Sequence, residues 1–272
     1  MQTYISLNNN NFAITSCDFF HGFRVSAQKQ IKGNLCLNNL ISLRPSITSV
    51  QNRIFTKEPK HTASYNGILS YTYGDIPIQL SISTESLPSV SFVIPINEDV
   101  SFSNEIGVDN VNISGKIAKE RYCIDLNLNS DYQSISGSLF GSLMVNRSFS
   151  FGFCYDLSNF EVLVEKKVNS NKKVCICVNR NLIATVLNYE IHPKTTVGTS
   201  LSLNLNDLNS DFKFGFKRMF KMSSIHVTVT DKLVVKSLYQ FNIKDGLVFE
   251  VSSFSDHFNQ MYSVGAGIYI DM

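Results

Sequence analysis

The chain has 272 residues, 43% of them hydrophobic and 17% charged, and its 24 Lys and Arg nearly balance its 22 Asp and Glu. That length suits one large β domain or two ordinary ones. A net charge of +2 argues against nucleic acid as a partner, where a basic stripe is expected, and no run approaches the roughly 18 to 20 apolar residues of a membrane helix.

Met1 to Thr15 lacks the basic region and apolar core of a secretory signal, which favours a chain made in a cytosol. Residues 1–21 differ from the rest and form the first of two expected regions. Asn8 to Asn11 is a polar run. Phe12 to His21 holds Phe12, Ile14, Phe19 and Phe20 without strand alternation, and suits a short helix with Ser16 or Asp18 near its start.

From residue 22 to 272, the second region, amphipathic segments follow one another. Phe23, Val25, Ala27 and Ile31 share a face that Lys29 interrupts. Leu35 to Leu43 is a second apolar-rich run, and a long polar connection carries Pro45 and Pro59. Tyr65, Gly67, Leu69, Tyr71 and Tyr73 oppose Asn66, Ser70 and Thr72. Ile124, Leu126 and Leu128 oppose Cys123, Asp125 and Asn127. Phe149, Phe151, Phe153 and Tyr155 oppose Ser148, Ser150, Gly152 and Cys154. The run Leu182 to Tyr189 is apolar on both sides and stays ambiguous. Leu201, Leu203 and Leu205 oppose Ser200, Ser202 and Asn204, and Phe212, Phe214 and Phe216 oppose Lys213, Gly215 and Lys217. Tyr262 to Met272 closes the series, with Val264, Ala266, Ile268 and Ile270 on one face. A period of two is the mark of a strand with one greasy side. Polar breaks such as Asp109-Asn110, Asn146-Arg147 and Asp245-Gly246 suit tight turns.

At roughly 13 residues per strand and turn, this region holds about nineteen strands. The predicted fold is all-β: a transmembrane β-barrel of about nineteen strands, with the short N-terminal segment inside the pore. A soluble sandwich also alternates, but its strands commonly run about five or six residues. A single closed sheet this large cannot fill its interior, so Ser, Asn and charge would line water while Phe, Leu, Ile and Val meet lipid. Closure is required because an open edge in hydrocarbon leaves backbone groups unpaired. Tyr71, Tyr73, Tyr122, Tyr155 and Tyr262 lie near strand ends, where interface girdles sit.

Two stretches carry a family resemblance. Phe20-His21-Gly22-Phe23-Arg24, with Lys29 further on, resembles the start of the first strand in the central pore subunit of the mitochondrial outer-membrane protein translocase, a eukaryotic porin. Ser263, Gly265, Ile268 and Ile270 resemble the C-terminal assembly signal of mitochondrial outer-membrane barrels. The resemblance implies a nineteen-stranded barrel whose first and last strands pair in parallel. It implies a pore for precursor polypeptides with presequences, in the outer membrane of a mitochondrion or a related organelle. It also implies single-helix translocase subunits, a receptor among them, as partners, and a homo-oligomer within that complex. The chain departs from the family in being compact, which suggests a reduced form.

On that reading, the wall must attract cationic presequences, and carboxylates on the inner face supply the attraction. Asp125, Glu161, Glu165 and Glu250 are inward by parity, with Glu85 and Glu105 less secure. Lys213 and Lys217 are inward too, so the lining is mixed. Leu163 and Phe140 are inward apolar residues suited to gripping a passing chain or contacting the N-terminal segment. The alternatives are a metabolite or anion channel of the voltage-dependent anion channel type, whose Gly-Leu-Lys tripeptide is absent, and a soluble β-sandwich binding protein.

No enzyme is expected. His21, His61, His192, His226 and His257 have no partners at metal or triad spacing, and no phosphate loop or dinucleotide fingerprint is present. The six cysteines follow no disulfide or zinc spacing, so no metal or cofactor is expected.

Overall fold

The computed structural model describes residues 11–17, 19–45, 61–84, 86–131, 133–156 and 159–272. The long connection, Asp18 and Glu85 lie outside them. The strands are β1 (Gly22–Lys32), β2 (Leu35–Pro45), β3 (His61–Tyr73), β4 (Ile76–Ser83), β5 (Ser89–Pro95), β6 (Val100–Gly107) and β7 (Val111–Ala118). They continue as β8 (Tyr122–Ser130), β9 (Ile135–Asn146), β10 (Phe149–Asp156), β11 (Phe160–Asn169), β12 (Lys172–Asn179) and β13 (Leu182–His192). The last six are β14 (Thr195–Asn204), β15 (Ser210–Met219), β16 (Ser223–Thr230), β17 (Val234–Lys244), β18 (Leu247–Asp256) and β19 (Met261–Asp271).

All belong to one 19-stranded sheet. Each strand pairs antiparallel with the next, and β19 pairs back to β1 in parallel. An odd number of strands forces that parallel pair, because first and last strands then run the same way. The ring leaves no open edge.

The alternation sorts the side chains by face. Ile41, Leu126 and Leu201 point outward and are 49%, 48% and 52% exposed, which is the apolar outer belt of a membrane barrel. Their sequence neighbours Ser42, Asp125 and Ser200 point inward. Tyr71, Tyr73, Tyr122, Tyr155 and Tyr262 are all outward and exposed near strand ends.

The ambiguous run Leu182 to Tyr189 is a strand, β13. Its outer side meets the apolar belt. Its inner side carries Ala184 and Val186, both buried, because the N-terminal segment covers that part of the wall. Both faces are apolar for different reasons.

From Phe12 on, the described residues differ from the expected short helix. Among the described residues the helical ones are Asn11 and Phe12, followed by a turn at 13–15. The Thr15 N–H donates to the Phe12 carbonyl at 3.0 Å, and the Thr15 and Ser16 hydroxyls reach the same oxygen at 3.2 and 3.1 Å. Ser16 therefore ends the turn instead of capping a start: its hydroxyl competes for the carbonyl that a longer helix would need.

Candidate functional site

Two features are built inside the barrel: the seam that closes it and the lumen beside the N-terminal segment. At the seam Gly22 stands opposite Gly265, Arg24 opposite Gly267, Val25 opposite Ile268 and Ala27 opposite Ile270. The two stretches singled out in the sequence thus meet as one structure. Gly22 has φ of 83°, a conformation only glycine adopts freely, and it turns the chain from the lumen into the wall.

Gly265 and Gly267 face inward and make room. A Cβ on Gly265 would collide with the Phe20 carbonyl oxygen, and one on Gly267 would lie 2.9 Å from Arg24 Cγ and 3.1 Å from Phe20 Cζ. Into that space the Arg24 guanidinium stacks 3.8 Å from the Phe20 ring centre. It also pairs with Glu250, whose second oxygen accepts Gln240 Nε2 at 2.7 Å. The Ser252 hydroxyl donates to the Phe20 carbonyl, and the Tyr269 hydroxyl donates to Gln28 Oε1 at 3.0 Å. Parallel pairing is slightly weaker per residue than antiparallel, and this polar clamp reinforces it.

In the lumen the N-terminal segment lies on the wall from β11 to β16. Asn188 Nδ2 donates to the Asn11 carbonyl at 2.8 Å, and His226 Nε2 donates to the Ile14 carbonyl at 2.9 Å. The Cys17 thiol reaches back to the His226 carbonyl at 3.7 Å. Phe12 packs on Leu163, Cys175 and Val186. Ile14 sits over Gly198 and Gly215: a Cβ at Gly198 would be 2.8 Å from Ile14 Cγ2, and one at Gly215 would strike the Ile14 backbone.

The wall from β5 to β9 has a different chemistry. A cavity of about 570 Å³ there is lined by Ser91, Ser103, Glu105, Asn112, Ser114 and Asn127, among others. Ser89 Oγ donates to Glu105 Oε1 at 3.0 Å, and Asn112 Nδ2 lies 3.4 Å from its other oxygen.

The candidate residues fall into different surroundings. Asp125 faces the lumen, opposite Lys116 on one side and Phe140 on the other. Glu161 lies beside a cavity of about 310 Å³ that Phe12, Thr15 and Lys213 also line. Glu165 is buried at 3% exposure, next to Cys175 in register. Glu250 is buried in the seam and occupied by Arg24. Lys213 and Lys217 are exposed on the inner face, and Leu163 is fully buried under Phe12. The structure thus groups Glu161 with Lys213 and separates Glu165 and Glu250 from the open lumen. Among the described residues no cluster of His, Cys, Asp or Glu could hold a metal.

Sequence reasoning missed Asn188, His226, Gln240 and Ser252. Each is an ordinary wall residue until the N-terminal segment or the seam is placed against it. The glycines at 198 and 215 and the doubly apolar β13 were the available signal.

At the rims several carboxylates serve turns. Asp131 Oδ1 accepts the Gln133 and Ser134 backbone N–H groups at 3.0 and 2.5 Å. The Ser134 and Gln133 donors hold its carboxyl below the ordinary value of 3.8. Asp207 is lowered by Asn209 in the same way. Lys232 is raised above its ordinary value by its hydrogen bond and ion pair with Asp211.

No protein-family model and no curated protein sequence matches the chain. Solved structures do match in shape. A double mutant of Rh. blastica porin superposes with a TM-score of 0.53 at 9% identity, covering 87% of this chain and 99% of that one. A fivefold mutant of the same porin gives 0.53, also at 9% identity and the same coverage. A structure described as "Asymmetric conductivity of engineered proteins" gives 0.54 at 8% identity. The fold is therefore that of a porin-like transmembrane β-barrel.

Proposed function

We propose that the chain is a protein-conducting channel of the outer membrane of a mitochondrion or related organelle, passing unfolded precursor polypeptides. The observation that carries the mitochondrial part of this reading, which a metabolite channel would share, is the seam. Bacterial single-chain barrels have even strand numbers, whereas a mitochondrial barrel of nineteen strands is known. Here the nineteenth strand closes in parallel on the first, through Phe20, Gly22, Arg24, Gly265 and Gly267.

The lumen supports the finer part of the reading. Hydroxyls and amides at Ser91, Ser103, Ser114, Asn112 and Asn127 hydrogen-bond any passing backbone without holding one sequence. Glu105 adds attraction for a basic, amphipathic segment, and Asp125 adds less because Lys116 stands opposite it, both screened by pore water. An anion channel calls instead for a predominantly basic wall.

The test is conductance of the refolded chain in a planar bilayer, with and without a basic amphipathic peptide. Voltage-dependent block by the peptide at low salt is the expected result. Channels indifferent to the peptide but selective for small anions would replace this reading with a metabolite channel. Absence of conductance from correctly folded protein would remove the channel reading altogether.

A further inference from the structure

From β9 to β16 the two rims of the barrel differ in charge, and the basic stretch has a structure beyond a solvated charge run. One rim holds the turns that follow odd-numbered strands. On four adjacent hairpins there, β9–β10, β11–β12, β13–β14 and β15–β16, stand Arg147, Lys166, Lys172, Lys194, Arg218 and Lys221. No carboxylate shares the outer face or the turns of those hairpin ends among the described residues. The opposite ends of the same strands carry Asp156, Asp207 and Asp231.

Register places three of these cations on the outside of the barrel. Lys166 pairs with Phe149 and Val174, Lys172 with Tyr189, and Arg218 with Ile225, all outward positions. Lys172 Nζ lies 5.0 Å from the Tyr189 ring centre, and the Arg218 guanidinium 5.0 Å from that of Phe220. Exposed apolar residues stand among them: Val168, Ile191 and Phe220. The charges are thus continuous with the apolar outer belt. Long cationic side chains in that setting lay their stems on hydrocarbon and lift their heads to the headgroup level.

We propose that this half-rim is a binding surface for anionic phospholipid headgroups, which fixes the barrel's direction and depth in the bilayer. The inference rests on the membrane-barrel reading given above. A soluble anionic partner would be met by the turns alone. Outward placement of Lys166, Lys172 and Arg218 beside lipid-facing residues favours a lipid phosphate.

The test uses the full chain in nanodiscs of phosphatidylcholine and phosphatidylglycerol in equal parts, with bound lipid counted by native mass spectrometry. Phosphatidylglycerol should be enriched. The triple variant Lys166→Gln/Lys172→Gln/Arg218→Gln should lose about fivefold of that enrichment per cation, the worth of one charge near an anionic surface. Lys166→Arg/Lys172→Arg should keep it, and Arg180→Gln/Lys232→Gln on the opposite rim should leave it unchanged. Wild-type protein that inserts without enrichment overturns the inference alone. Enrichment that survives the triple variant overturns its assignment to this surface. A chain that inserts in no bilayer overturns the membrane reading and this inference with it.

Discussion

Replacing Arg24 by Met removes one partner of the seam's ion pair while keeping an unbranched side chain over Phe20. The Glu250 side chain is 11% exposed and the Arg24 side chain 33% exposed. Breaking a fully buried pair by deleting one partner costs about 3–5 kcal/mol, because the survivor is left uncompensated. Arg24 is reached by lumen water and Gln240 still donates to Glu250, so the expected loss is about 2 kcal/mol, below that range. Glu250→Gln should cost a similar amount. The double variant Arg24→Met/Glu250→Gln should lose little more than either single one, since no unpaired charge remains. Urea unfolding of the refolded barrel in lipid measures all three. With a slope of roughly 2 kcal/mol/M, each single variant moves the midpoint by about 1 M. Single variants within about 0.5 kcal/mol of wild type, the range of ordinary surface substitutions, would refute the clamp. So would a double variant whose loss equals the sum of the singles.

The remaining predictions concern the lumen and one rim turn. Gly215→Val should push Ile14 off the wall and release the N-terminal segment, read as higher single-channel conductance and faster proteolysis before Gly22; unchanged values would show that the segment does not depend on that contact. Asn188→Ala should weaken the same attachment by about 1 kcal/mol, the usual worth of one hydrogen bond, measured as a shift in the proteolysis rate. Glu105→Gln/Asp125→Asn should reduce cation preference in reversal-potential measurements without changing the stability read from urea unfolding by more than about 1 kcal/mol. Asp131 is lowered by the turn it caps, so its contribution is complete above its unfolded value of 3.8 and is lost as pH falls through the lower folded value. Amide exchange at Gln133 and Ser134 should therefore speed up only below that pH, relative to a pH-matched Asp131→Asn variant.

Alternation alone made the wall legible. Each of Leu201, Leu203 and Leu205, or Phe212, Phe214 and Phe216, repeats at the period a strand imposes, and a membrane reverses the usual sense by putting these residues outside. Parity also gives the inner face of Asp125, Glu161 and Lys213. Parity says nothing of what covers an inward residue. Glu165 and Glu250 have the same alternation as Asp125, yet one is buried and the other is held by Arg24, 226 positions away. Such partners depend on which strands close the ring and where residues 11–17 lie, and no local pattern encodes either. Val186 and Ala184 hinted at a covered wall only as an apolar excess on β13.

The parallel seam also governs the order in which the barrel can form. Hairpins from β3 to β19 join neighbours through short turns, so their ladders zip locally, with little chain entropy lost at each step. The seam joins residues more than two hundred positions apart, as the Ser252–Phe20 bond across 232 positions illustrates. It is therefore the slowest contact to find. Until it forms, β1 and β19 are both raw edges, each able to template another strand. A growing sheet with two such edges needs its ends shielded or guided together, and the glycine-lined groove of β19 is the surface on which that last encounter takes place.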